Sequence, residues 1–160
     1  MNNDQGKEAR IYDVHQRHQL LSDNPETNRL LYLDGVFKSS SLGESPSYES
    51  FVHPPMLLHE HPKKVLIIGA GAGASLREVL KHNSVEQVAI IGADRSFLDF
   101  SREHLSEWND CSDLVDRASN CLDDTRVTTL YGNPFDWFAT NNAMSSDFRM
   151  AFDIALIDFL

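Results

Sequence analysis

The apolar residues of this chain follow two different rhythms. Up to about Phe51 they come in short runs separated by polar clusters. Arg10 to Val14 and Gln19 to Leu21 are two candidate strands, and Arg29-Leu30-Leu31-Tyr32-Leu33 is a third, closed by Asp34-Gly35 with Val36-Phe37 beyond. Asp-Gly between apolar runs predicts a hairpin, because the tight turn needs positive φ at both central residues. Ser39 to Pro46 reads as a polar loop, and Tyr48 to His59 as a helix interrupted by Pro54-Pro55, with a boundary near His53. From Pro62 the rhythm becomes strand–helix alternation. Strands are expected at Val65–Ile68, Gln87–Ile91, Arg126–Tyr131 and Phe152–Ile157, and helices at Ala74–His82, Ser96–Leu105 and Pro134–Thr140. Leu76, Val79 and Leu80 give the first helix its apolar face; Phe97, Phe100 and Leu105 do so for the second. Strands alternating with helices predict a parallel sheet wound in the right-handed sense. The expected fold is therefore α/β: a small β-rich N-terminal segment over residues 1–51, then an incomplete Rossmann-like parallel sheet over 52–160. The sequence reaches Leu160 directly after an apolar strand, which would leave an apolar edge and predicts a C-terminal continuation or a covering partner.

Lys64-Val65-Leu66-Ile67-Ile68-Gly69-Ala70-Gly71-Ala72-Gly73-Ala74 carries the clearest chemical signal. Four consecutive apolar residues predict a strand covered on both faces. Gly69, Gly71 and Gly73 then allow a sharp turn and close backbone approach to a ligand, ahead of a helix whose first N–H groups lack partners. This is how a nucleotide-type cofactor is held at the carboxyl edge of such a sheet. The variable positions of the loop are all alanine, so it has the shape of a binding loop without polar side chains.

Composition changes this picture little. A net charge of −10 with no basic stripe argues against nucleic acid as a partner. No apolar run approaches membrane-spanning length, and the polar stretch from Met1 to Arg10 has no apolar signal region, so a cytoplasmic protein is expected. Cys111 and Cys121 make neither a disulfide framework nor a zinc site and read as two reduced thiols, with a loop disulfide the minor alternative. His59-Glu60-His61 reads as a helix terminus rather than a metal site, so no metal is expected. Trp108, Trp137 and Phe138 read as packing residues, and Asp123-Asp124 as loop acids before a strand.

Several segments, in order, resemble the polyamine aminopropyltransferases, the spermidine synthase family. They are Arg29 to Val36, Val52-His53-Pro54-Pro55-Met56 with His59, Pro62 to Gly69, Leu76-Arg77-Glu78-Val79-Leu80-Lys81-His82 with Ser84-Val85-Glu86, Trp108 to Asp113 with Asp123 to Val127, and Phe152-Asp153 leading to Asp158. The resemblance covers roughly Ile11 to Asp158. It implies a class I S-adenosylmethionine-dependent methyltransferase-type sheet and transfer of an aminopropyl group from decarboxylated S-adenosylmethionine to a diamine such as putrescine. The nucleoside is implied as co-substrate, with no tightly bound cofactor, and the family usually dimerises. The chemistry is displacement at a carbon activated by a sulfonium, and the attacking amine must lose a proton to a carboxylate.

Carried over residue by residue, the resemblance makes Asp158 the catalytic base, the first aspartate of an Asp-x-x-Asp motif whose second member would fall beyond Leu160. Gln19, Tyr48, Gly69, Gly71, Gly73, Asp94 and Asn133 fall on cofactor-binding positions. Three departures stand out: Ala72 and Gly92 replace the acids of the glycine loop and of the second strand's end, and Asn133-Pro134 replaces an Asp-Ala or Asp-Gly pair. The alternatives are a catalytically inactive relative acting by association with an intact homologue, an NADP binder using Gly69-x-Gly71-x-x-Ala74 and Arg95, and a methyltransferase. Neither of the last two explains the β-rich N-terminal segment.

Overall fold

A computed structural model describes residues 8–16, 26–69, 71–114, 118–139 and 152–158. It divides into two compact units, Met1–Ser45 and Pro46–Leu160. In the first, β1 (Ala9–Gln16), β2 (Glu26–Leu33) and β3 (Val36–Ser40) form an antiparallel sheet in that order. The expected turn joins β2 to β3, with Asp34 at φ 51° and Gly35 at φ 75°. The candidate strand at Gln19 to Leu21 lies outside the described residues. The rings of Tyr12, Tyr32 and Phe37 meet edge-on in sequence, with centroids 5.5 and 5.6 Å apart. The polar loop expected from Ser39 begins later, because Ser39 and Ser40 pair with Leu31 and Leu30. The Asn28 side-chain oxygen accepts from the Ser40 hydroxyl at 2.7 Å and from the Leu42 amide at 3.2 Å, which satisfies these groups at the strand's end.

The second unit contains most of α1 (Glu44–Leu58), which runs unbroken through Pro54 and Pro55 and corrects the interruption expected near His53. An interior proline costs about 3 kcal/mol through its missing N–H and its ring. Val52 and Met56, which flank the pair, are 0% and 2% exposed. Burying two such side chains contributes about 1.5–3 kcal/mol each, which offsets most of the cost of the two prolines.

The four strands β4 (Lys64–Gly69), β5 (Gln87–Ala93), β6 (Val127–Tyr131) and β7 (Ile154–Asp158) form a wholly parallel sheet in the order β6-β5-β4-β7. One face carries Val65, Ile67, Val88, Ile90, Ile154 and Leu156 in the main core; the other buries Leu66, Ile68, Ala89 and Ile91 against Trp137 and Phe152. α2 (Ala74–Leu80), α3 (Arg95–His104), α4 (Ser106–Asn109) and α5 (Pro134–Ala139) fill the connections. Every residue of α2 is buried, whereas α3 buries Leu98 and Ser101. The apolar face expected from Phe97 and Phe100 is therefore displaced by one position, with Phe97 and Phe100 half-buried. Phe138 is another departure: it is exposed, edge-on to Trp137. β7 alternates buried and exposed residues, with Ile157 58% exposed. No helix among the described residues is long and apolar enough to cross a membrane.

The two cysteines are not reduced thiols: Cys111 and Cys121 form a disulfide. The sequence separation of ten hid their proximity, which an antiparallel bridge between Asp110 and Asn120 and the Cys111 amide donating to the Ser119 carbonyl at 2.8 Å create. Their Cα atoms stand 5.1 Å apart, within the span a disulfide bridges.

Candidate functional site

From β4 the chain builds outward through β5 and β6, then crosses back to place β7 on β4's other side. The direction of winding therefore reverses between β4 and β7, and ligands of open parallel sheets bind outside the carboxyl ends of the strands at such a point. Gly69 ends β4 and Asp158 ends β7, and the two are register partners. Asp158 is 4% exposed. Sequence reasoning thus singled out two residues that the topology brings side by side.

The glycines of the loop are explained by close packing as well as by backbone conformation. Gly69 has φ 105° and Gly73 φ 98°, both in the left-handed region. A Cβ on Gly71 would lie 2.7 Å from Phe97 Cε1, and one on Gly73 would lie 2.7 Å from Asn109 Cβ. The Gly71 carbonyl accepts from the Ser101 hydroxyl at 3.0 Å, so α3 holds the loop through both a ring and a hydrogen bond.

The end of β5 departs from an acid-bearing site for a geometric reason. The β5–β6 register shifts between Ile91 and Ala93, Gly92 has φ 83°, and a Cβ there would meet Pro134 Cγ at 2.5 Å. No carboxylate-bearing side chain fits at Gly92 while Pro134 holds its place. Asp94 caps α3, its Oδ1 accepting from the Ser96 and Phe97 amides at 2.9 and 3.3 Å. Asn133 acts similarly on α5, its Oδ1 accepting from the Phe135 amide at 2.9 Å. Both residues lie beyond the carboxyl ends of their strands, where the sequence puts them, with these oxygens directed to helix amides. The Arg95 guanidinium lies 4.2 Å from the centre of the Tyr131 ring, a cation–π contact rather than an open anion site. Tyr48 sits on α1, 5% exposed, and Gln19 lies outside the described residues.

Two charged clusters were not legible beforehand. Glu78 is wholly buried, with Oε1 2.9 Å from Arg77 and Oε2 2.7 Å from Lys81 and 3.3 Å from His53. His53 Nδ1 lies 2.9 Å from His82 Nε2, so at least one of these rings is neutral when they bond. Burial first, and the neighbouring His53 second, hold the His82 imidazole below its ordinary pKa, against the opposing pull of Glu78. The other cluster corrects the reading of Asp123-Asp124 as plain loop acids. Asp123 pairs with Arg102 at the surface, but Asp124 is buried and takes Arg126 in a two-pronged pair at 3.0 and 2.9 Å. A spacing of one residue between an acid and an arginine was the only sequence signal.

A parallel sheet with a glycine loop at its switch point, next to a strand-end carboxylate, places the chain among the open, Rossmann-like α/β proteins. Within that class, residues 44–159 match the model of the spermine/spermidine synthase domain, and the chain belongs to this family. It is 38% identical over 132 residues to a polyamine aminopropyltransferase of Aeropyrum pernix, which covers 82% of this chain and 37% of the relative. A polyamine aminopropyltransferase of Thermoanaerobacter sp. is 32% identical over 142 residues, covering 89% of this chain and 45% of the relative. Among solved structures, spermidine synthase from Thermotoga maritima matches with a TM-score of 0.66 at 29% identity, over 92% of this chain and 46% of that one. A spermidine synthase in complex with the transition-state analogue AdoDATO matches equally well, with a TM-score of 0.66, over 93% of this chain and 46% of the other. The chain thus spans less than half the length of these relatives.

Proposed function

We propose that this chain carries the nucleoside side of an aminopropyl-transfer site of polyamine biosynthesis, with decarboxylated S-adenosylmethionine as co-substrate, no tightly bound cofactor, a diamine such as putrescine as acceptor, and the cytoplasm as its compartment. The observation that supports this best is the pairing of Gly69 with Asp158 across the switch point, inside the region that matches the family. The loop of Gly69, Gly71 and Gly73 receives the sulfonium-bearing nucleoside through backbone groups. Asp158 is the carboxylate that accepts a proton from the attacking amine. The amine nitrogen forms a bond to the aminopropyl carbon as the C–S bond breaks. The electron pair of that bond stays on sulfur, which leaves as a neutral thioether.

Ala72 and Gly92 contribute no carboxylate to this site, and each polar contact missing relative to a fully furnished site weakens binding by about tenfold. The same two positions favour a second reading, in which the chain acts by associating with an intact homologue as a mixed oligomer. Calorimetric titration with 5′-methylthioadenosine, with NADPH as control, separates the two. Saturable binding of the thioadenosine alone, followed by aminopropyl transfer that Asp158→Asn abolishes, supports the first reading. Absence of binding at millimolar ligand, together with co-elution with an intact aminopropyltransferase, replaces it with the second.

A further inference from the structure

We infer that Ser101, Asn109 and Asn120, clasped by the Cys111–Cys121 disulfide, form a relay that positions the glycine loop, so that nucleoside binding responds to the redox state of this cysteine pair. The inference rests on the nucleoside reading only for its second half; the positioning of the loop stands on geometry alone. The relay is continuous. The Ser101 hydroxyl donates to the Gly71 carbonyl at 3.0 Å, and the Ser101 carbonyl accepts from the Asn109 side-chain amide at 2.9 Å. The Asn109 side-chain oxygen in turn accepts from the Asn120 amide group at 2.9 Å. Asn109 is 1% exposed and Ser101 0%, so these groups have no water to fall back on. Asn109 also presses its Cβ on Gly73, at the far end of the same loop.

Asn109 and Asn120 are brought together by the pairing of their neighbours. Asp110 and Asn120 form an isolated antiparallel bridge, and each of them directly precedes or follows a clasp residue: Cys111 follows Asp110, and Cys121 follows Asn120. An isolated bridge has no ladder to support it, and beside the Cys111 amide's bond to the Ser119 carbonyl the disulfide is the covalent tie that holds the two asparagines in register. Opening the clasp is a two-electron reduction. A dithiol reductant gives up two electrons and two protons and becomes a disulfide, while the Sγ–Sγ bond is replaced by two thiols. Cys111 and Cys121 are 2% and 0% exposed, so exchange follows opening of the segment rather than direct attack on the folded surface.

The test compares amide hydrogen exchange in the oxidised chain, the chain reduced with excess dithiothreitol and checked by alkylation of both thiols, and the variants Cys111→Ala/Cys121→Ala and Asn109→Ala. The expected result is exchange about tenfold faster at residues 71–74 in all three perturbed forms, with β4 and β5 amides unchanged. Unchanged exchange at the loop after verified reduction overturns the inference, as does equal acceleration throughout the sheet, which marks a purely global loss of stability. Asn109→Ala keeps the Cβ that packs on Gly73 and both cysteines, so it decides the question even if the double cysteine variant does not fold. Titration with 5′-methylthioadenosine tests the second half: about tenfold weaker binding on reduction supports it. If the oxidised chain binds no thioadenosine, the nucleoside reading fails while the exchange data still decide the relay. If it binds and reduction leaves the affinity unchanged, the redox inference fails.

Discussion

Asp124 and Arg126 offer the sharpest test of how this fold is held together. The carboxylate is 1% exposed at its side chain and the guanidinium 8%, and they meet through two parallel hydrogen bonds. Arg126 also donates to the Val85 carbonyl at 3.1 Å, which ties the entry of β6 to the turn before β5. Asp124→Ala leaves the guanidinium nearly buried without a counter-charge, and breaking a buried pair in this way costs about 3–5 kcal/mol. Against a total stability of about 5–15 kcal/mol this is a large fraction. At about 2–4 °C per kcal/mol for a chain of this size, the melting temperature falls by roughly 6–20 °C. The double variant Asp124→Ala/Arg126→Met removes both charges and leaves the Val85 carbonyl, and through a longer bond the Leu80 carbonyl, one donor short, a cost of about 1–3 kcal/mol. The double variant is therefore expected to be more stable than Asp124→Ala alone. Urea denaturation of the parent, both single variants and the double variant closes the cycle. If Asp124→Ala lies within about 1 kcal/mol of the parent, or the double variant is less stable than Asp124→Ala, the reasoning about an orphaned buried charge is wrong.

Other outcomes follow from features already described. Because the folded His82 has a lowered pKa, the unfolded chain binds its proton more readily; stability is fully present above the ordinary value of 6.5 and is lost as pH falls through the depressed one. The urea midpoint should therefore drop between about pH 7 and pH 5, and drop less in His82→Gln; equal slopes would exclude the effect. Asp153 accepts from the Lys64 and Lys63 amides at 2.8 Å each, and these bonds hold its carboxyl below the ordinary value of 3.8. Its contribution is present above that value and is lost as pH falls through the depressed one, so Asp153→Ala should show a flatter acid-unfolding curve below about pH 4. Gly73→Ala forces a left-handed φ and a 2.7 Å contact with Asn109, whereas Gly43→Ala, at φ 82°, meets nothing within 4 Å. Both carry about 1–2 kcal/mol of backbone strain, and the first should cost about 1–3 kcal/mol more from overpacking, read as the difference between their denaturation midpoints.

The parallel sheet was legible because β4 and β5 are near-continuous apolar runs that no amphipathic element would tolerate, and the hairpin because Asp34-Gly35 is chemically suited to its turn. α1 was misread because local proline rules weigh less than the burial of Val52 and Met56. The disulfide ranked only as the minor alternative because it depends on a bridge between Asp110 and Asn120, a pairing across ten residues that no local pattern encodes. In the candidate site, Gly69, Gly71, Gly73 and Asp158 were singled out through spacing and resemblance, and the fold sets Gly69 beside Asp158. Asp94 and Asn133 were singled out as well, but as binding positions; their capping roles depend on where two helices begin, and Glu78 on a burial that its charge alone would argue against.

The bulge at Gly92 also orders any path by which this chain could gain a second-strand acid. A Gly92→Glu change made first would drive its Cβ into the Pro134 ring, 2.5 Å away, and would place a side chain on a backbone at φ 83°. Replacing Pro134 by a smaller residue removes the first obstacle, and realigning β5 with β6 removes the second. The acid becomes accessible only after changes that bring no acid themselves, so its absence here is held in place by epistasis among neighbours.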